Sequence, residues 1–327
     1  MGIIHSLLSP FFSKVFISIN VDALSCAIKV VRIKKERTIE SFVKEFKTGE
    51  NKIPMDAVKI VRKYRRKYPF TYISVLLKSL AQGVVIQKNG KDFFLANVRP
   101  QECEIITVGT CRVFAKKALL RDYLRKYDIV NGVDFVFSPF LLIAANSLSY
   151  PTLGNNLYVL LQRSNIALMV INRQQILFSG FFLAQSEISA LNREENQRPT
   201  LHLRNFEDFS LDDDFDNFQK MEGETSMENL QTDMFIPNLE EKKINYDDMP
   251  RAIVISKVLL DGIKEYYQNP FYNGDFIDRI IFLDACKLSD EAYDFICKEV
   301  MIESVKRDFD LPTLLVNFAI RELSREE

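Results

Sequence analysis

Residues 16–33 read FISINVDALSCAIKVVRI. Val15, Ile17, Ile19 and Val21 share one side of an extended chain, and after a turn around Asp22 the stretch Cys26–Ile33 alternates again. Period-two alternation marks a strand with one buried face, so this stretch predicts a β-hairpin. Thr38–Phe46 supplies a third strand. Pro54 suits a first helical turn, and MDAVKIVRKYRRKY sets Ala57, Val61, Tyr64 and Tyr68 at helical spacing beneath a strongly cationic outer face. Phe70–Leu77 (FTYISVLL) then reads as a buried strand, giving β-β-β-α-β over the first 78 residues.

Further along, Ser79–Gly132 forms a smaller unit. It has strand candidates at Gly83–Gln87, Asp92–Val98 and Glu104–Val108, an edge at Arg112–Ala115, and a helix over Lys116–Tyr127. Asn89-Gly90 is a hairpin signal, because a type I′ turn needs positive φ at both central residues. VDFVFSPFLLIAANSL reads as a strand and then a helix from Pro139, and turn formers around Tyr150–Asn156 mark a boundary. The pattern then restarts, with strands at Leu157–Leu161, Ile166–Ile171 and Ile176–Leu183. Next come a helix over Arg251–Gln268, a strand over Asp278–Leu283, a helix over Asp290–Val300 with Ser289 as its N-cap, and an amphipathic Pro312–Glu322. The expected organisation is one domain over 1–150 with an inserted subdomain over 79–132. A second covers 151–311 and carries an acidic flexible insertion over 187–250, and a closing helix over 312–327 packs back on the first.

Composition excludes several classes of function. A chain of 327 residues with 47% hydrophobic and 27% charged residues is globular and long enough for two domains. The longest apolar run, Phe135–Ala145, is broken by Ser138 and Pro139 and falls short of the roughly 20 residues that span a bilayer. The start, MGIIHSLLSPFF, has no basic n-region or small-residue cleavage site, so a cytoplasmic protein is expected. Five cysteines (Cys26, Cys103, Cys111, Cys286, Cys297) without CxxC spacing predict reduced thiols. Two histidines, His5 and His202, leave no inventory for a His metal site or a Ser-His-Asp triad. Charge is segregated: Lys29–Lys78 holds fifteen Lys/Arg against five Asp/Glu, and Glu187–Pro250 seventeen Asp/Glu against six Lys/Arg. Such blocks steer partners or simply solvate a surface.

A three-strand meander followed by a helix and a joining strand opens a ribonuclease H-like domain. Two such units, with a small insertion in the first, form the plan of the mixed α/β actin-like ATPase fold. Val113–Leu148, Asn155–Leu183 and Ile277–Val300 resemble corresponding segments of the PilM family of actin-like proteins, found in inner-membrane platforms of type IV pilus and type II secretion machines. The resemblance implies two phosphate hairpins in which glycine lets backbone N–H groups reach phosphate oxygens. This chain departs from it. In the first hairpin the family's Asp-x-Gly-Ser falls on Asn20–Ser25 or on Asp22–Ser25, and the glycine position holds Asp22 or Leu24. In the second it falls on Leu160, Leu161 and Gln162, and a family Gly-Gly-Gly run is replaced by Asp284, Ala285, Cys286 and Lys287.

Three losses at three loops predict no bound nucleotide, no cofactor, no metal and no catalytic residue. Lys29, Asp22 and Asp284 are then expected as turn or surface residues. What the resemblance implies is a non-catalytic scaffold, peripheral on the inner-membrane face, that binds the cytoplasmic tail of a PilN-like bitopic protein. In the family that groove lies between the first core and its inserted subdomain, here Val15–Val21 against Arg112–Tyr127, with Arg112, Phe114 and Lys116 as contacts. The machine is a type IV pilus, DNA uptake, type II secretion or a flagellar motor cage, where self-association into a ring would suit a static part. The alternative is a divergent actin-like ATPase. Lys63, Arg65, Arg66 and Lys67 form a face for an anionic membrane or an acidic partner, and nucleic acid is disfavoured because the overall charge is not basic.

Overall fold

Strands β1 (Lys14–Asp22) and β2 (Ser25–Lys34) pair antiparallel from Lys14↔Ile33 to Asp22↔Ser25, with Ala23 in the turn between them. This computed structural model describes residues 12–23, 25–49, 52–88, 91–93, 98–108, 111–150, 153–173, 175–184 and 248–326. Leu24, His5, His202, Asn89-Gly90 and the acidic stretch as far as residue 247 lie outside them, and Asp248–Pro250, expected within that stretch, open a helix.

After the hairpin come β3 (Arg37–Lys47), α1 (Met55–Lys67) and β4 (Phe70–Leu76). The inserted part holds β5 (Gln82–Val84), β6 (Ile86–Lys88), β7 (Lys91–Phe93), β8 (Cys103–Val108) and β9 (Cys111–Lys116). Helix α2 (Lys117–Arg125), β10 (Phe135–Phe137) and α3 (Pro139–Ser149) follow. The second half runs β11 (Asn155–Leu161), β12 (Asn165–Asn172), β13 (Gln175–Leu183), α4 (Asp248–Gln268), β14 (Arg279–Asp284), α5 (Asp290–Val300), β15 (Ser304–Asp308) and α6 (Leu311–Glu326).

Two five-stranded sheets result, ordered β10-β4-β1-β2-β3 and β13-β12-β11-β14-β15. In each the meander is antiparallel and the two later strands join in parallel. This is the ribonuclease H-like order twice over, with a three-stranded sheet β5-β9-β8 and a β6-β7 ribbon inserted in the first copy. The fold is mixed α/β and actin-like. The sequence reading omitted β15: SVKRD carries one large apolar residue among charges, so an edge strand there leaves no alternating signal.

Parallel strands need helices on both faces. Ala57, Val58, Val61 and Tyr64 of α1 cover Val15, Ile17, Ile19 and Val21 of β1. On the other face lies an apolar core built from both halves. Phe16, Tyr72 and Leu142 meet Tyr158, Met169 and Leu283 there, with Leu315, Val316 and Ala319 of α6 among them. Helix α6 packs on β1, β2 and β4, while α3 packs on β11 and β12, so each sheet is partly roofed by a helix from the other half. All described residues belong to one compact unit. At the second sheet's entry, Gly154 takes φ +77°, and a Cβ there would stand 2.0 Å from Asp278 Oδ2, which accepts the Asn155 N–H at 2.7 Å.

Candidate functional site

The β1–β2 and β11–β12 turns occupy matching places in the two sheets, and one side chain joins them. Asp22 ends β1 and is only 5% exposed. Its carboxylate accepts the N–H groups of Arg163 (2.8 Å) and Ser164 (2.9 Å) and the Ser164 hydroxyl (2.5 Å). The Lys78 ammonium lies 3.3 Å from Asp22 Oδ1 and donates to the Val21 carbonyl at 2.7 Å. Burial works against the Asp22 charge, yet Lys78, the Ser164 hydroxyl and the two N–H groups together outweigh it, holding its pKa below the ordinary carboxylate value. Burial also lowers the Lys78 pKa, with Asp22 opposing the shift.

Position explains the arrangement. Alternation along β1 sends Ser18, Asn20 and Asp22 to one face, and Ser18 Oγ donates to the Pro312 carbonyl at the start of α6 at 2.8 Å. The receiving turn is closed by Gln162, whose N–H donates to the Asn165 carbonyl and whose Nε2 donates to Asn165 Oδ1, both at 3.0 Å. Ala23 takes φ 49°, a left-handed conformation in which glycine would be more at ease. The chain thus keeps the backbone of a glycine turn while using a side chain where the implied motif has none.

A second carboxylate does the same locally. Asp284 ends β14 and is 3% exposed. It accepts the N–H groups of Cys286 (3.0 Å), Lys287 (2.9 Å) and Leu288 (2.9 Å), and Lys306 Nζ stands 3.5 Å away. Lys287 at φ 57° completes this tight loop. Burial, with the Asp284 carboxylate, pushes the Cys286 thiol well up, so it is an unreactive hydrogen-bond donor. Of the turn or surface roles expected from sequence, Asp22 and Asp284 take the turn role, each as a buried anion. Lys29 is half-buried on β2.

These are the donors that hold phosphate oxygens elsewhere: turn N–H groups with a lysine close by. Here they converge on carboxylates of the chain itself. A phosphate approaching Arg163 and Ser164 meets donors already engaged by a group of its own sign. Among the described residues no group of three His, Cys, Asp or Glu is placed to hold a metal ion.

The residues expected to line the partner groove are engaged within the chain. Strand β1 pairs on both edges, and Tyr127 and Val130 pack into the same core as Val15–Val21. Phe114 is fully buried against Val85 and Cys103, so it holds the inserted sheet together and has no surface to offer. Arg112 clasps Asp92 with Nη1 at 2.7 and 2.6 Å from the two carboxylate oxygens, and Lys116 pairs with Glu102 at 3.3 Å. A groove of about 1080 Å³ lies elsewhere, between α3 and α6. Leu141, Ile176, Leu314 and Phe318 give it apolar walls, and Arg307 and Arg321 line it as well.

The cationic face of α1 divides in two. Arg65 points inward, where Nη1 donates to the Val130 (2.8 Å) and Asn131 (2.6 Å) carbonyls and Nη2 lies 3.3 Å from Asp134 Oδ2. It satisfies the end of the 3₁₀ turn Asp128–Val130 and is not free for a surface partner. Lys59, Arg62, Lys63, Arg66 and Lys67 remain outside. Like charges at i, i+3 and i, i+4 there cost roughly 0.2–0.5 kcal/mol per pair. No helix among the described residues is long and apolar enough to cross a membrane.

Two family profiles match the chain: one described as "Domain of unknown function (DUF8569)" over residues 11–144, and one described as "Domain of unknown function (DUF8341)" over residues 157–324. No curated protein matches the sequence. Among solved structures, the chain is similar to one titled "PilM-PilN type IV pilus biogenesis complex", with 9% identity, 89% of this chain and 87% of that one covered, and a TM-score of 0.49. It is also similar to a Bacteroides thetaiotaomicron protein with actin-like ATPase fold and unknown function (8% identity, 90% and 91% covered, TM-score 0.42). A third is the ethanolamine utilization protein EutJ from Carboxydothermus hydrogenoformans (10% identity, 92% and 87% covered, TM-score 0.39). At these scores the strand order, rather than any one likeness, carries the fold.

Proposed function

The chain belongs to the family described as Domain of unknown function (DUF8341), and we propose that it is a nucleotide-independent, non-catalytic scaffold in an envelope-spanning machine. The observation that carries this reading is the Asp22 carboxylate seated on the Arg163 and Ser164 N–H groups. In an actin-like ATPase the two halves are joined through bound phosphates; here the Asp22 side chain joins them. Asp284 supports the same reading at the third loop, where three N–H groups are held by one carboxylate. A clamp of this kind fixes the halves in one relation, which suits a part that positions others and does no work of its own.

The partner side of the reading rests on the PilM-like resemblance of Val113–Leu148 and Asn155–Leu183. It assigns a PilN-like bitopic membrane protein, whose cytoplasmic tail docks on this chain at the membrane's inner face. Because Phe114 is buried and Arg112 and Lys116 are paired with Asp92 and Glu102, the groove between α3 and α6 is the surface assigned to the tail. The test is a calorimetric titration with the tail peptide of a PilN-like protein encoded in the same genome, run with and without Mg-ATP. Equal affinity in both, weakened by Arg321→Glu, supports the reading. Absence of binding removes the partner, and an affinity that changes with Mg-ATP removes the nucleotide-independent scaffold.

A further inference from the structure

The outer face of α1 carries a groove of about 490 Å³ lined by Lys59, Arg62, Lys63, Arg66 and Lys67, every lining residue a cation. Nearby carboxylates are already engaged. Asp56 pairs with Lys59 at 2.9 Å, Glu40 with Arg32 at 3.1 Å and with the Tyr64 hydroxyl, and Asp134 with Arg65 and the Ile73 N–H. Lys63, Arg66 and Lys67 make no ion pair among the described residues. Five like charges on two turns of helix repel one another, and an external anion relieves that repulsion.

We propose that this face seats the protein on an anionic phospholipid surface. Arg62 is held on the Ile129 carbonyl and Lys59 on Asp56. Lys63, Arg66 and Lys67 present cationic heads with no ion pair among the described residues and no apolar centre, so the face recognises charge density rather than shape. Exposed apolar residues stand close to the stripe: Met55 opens α1 (56% exposed), and Ile129 (37% exposed) lies where Arg62 donates to its carbonyl at 2.9 Å. Cations with apolar side chains beside them suit the headgroup boundary of a bilayer. The lining offers no aromatic platform on which bases could stack, which disfavours single-stranded nucleic acid. This proposal does not rest on the nucleotide-independent reading, since neither the groove nor its partner involves the Asp22 clamp.

Flotation of the full chain tests it, with vesicles of phosphatidylcholine alone and of phosphatidylcholine with phosphatidylglycerol. The protein is expected to float with the anionic vesicles only, to be released as salt rises, and to lose about tenfold or more in partitioning when Lys63→Glu and Arg66→Glu are combined. Arg121→Glu, a reversal on the exposed face of α2, should leave flotation unchanged. Both reversed residues are exposed and make no ion pair among the described residues, so the double variant should unfold at or above the wild-type temperature, which separates lost binding from lost folding. Failure of the wild type to float with anionic vesicles, or equal flotation by the double variant, overturns the proposal. So does tighter capture of polyglutamate or duplex DNA than of anionic vesicles at the same salt.

Discussion

The β1–β2 turn and the β11–β12 turn hold the same place in two sheets of the same strand order, yet they do opposite work. The first ends in a carboxylate, and the second presents the N–H groups and hydroxyl that bind it. A duplicated architecture would by itself give two equivalent turns facing a shared space. One acidic residue at the end of β1 breaks that equivalence and turns the space into an internal contact, in which turn donors of the second sheet are satisfied by a carboxylate of the first.

Removing the acceptor should break this comparison most severely. Asp22→Ala leaves Lys78 buried without its counter-charge and the Arg163 and Ser164 N–H groups without their acceptor, a loss of about 3–5 kcal/mol in urea unfolding. Asp284→Ala should cost less, roughly 1–3 kcal/mol, because its loop is local and Lys306 keeps the Leu288 carbonyl at 2.6 Å. If the two cost the same, the contact between halves is no more important than an ordinary turn.

Acid sharpens the same comparison. The folded Asp22 pKa lies below 3.8, its ordinary value, so its contribution is fully present above that pH and is lost as pH falls through the folded pKa. The stability gap between wild type and Asp22→Asn should therefore be flat from neutral pH down to about 5 and shrink below 4. A gap that grows on acidification would mean that Asp22 is not held as a carboxylate.

How much of this was legible follows from where each signal lies in the chain. The two meanders declared themselves because Val15–Val21 and Leu157–Leu161 are strongly apolar where they are buried. The edge strand β15 did not, because Lys306 and Arg307 serve Leu288 and Asn146 rather than an apolar face. The acidic residues at Asp22 and Asp284 were visible in sequence, but their contacts were not. Asp22 finds its donors 141 and 142 residues away, and no local pattern encodes such a partner. Arg65 misled for the same reason: its carbonyls lie 65 and 66 residues on, so a helical wheel alone leaves it among the surface cations.

The smallest expected effect answers why the hairpin lacks glycine. Ala23→Gly relieves a residue at φ 49° and should stabilise the protein by about 0.5–1 kcal/mol in thermal unfolding, while conferring no affinity for nucleotide. Backbone freedom is then not what the turn lost. A destabilised Ala23→Gly protein would show that the turn is not strained at this position.

Calorimetric titration of the wild-type protein with Mg-ATP tests the central claim most directly. With the Arg163 and Ser164 N–H groups held by Asp22, the account predicts no saturable heat at micromolar nucleotide. A single-site isotherm with micromolar affinity would contradict it.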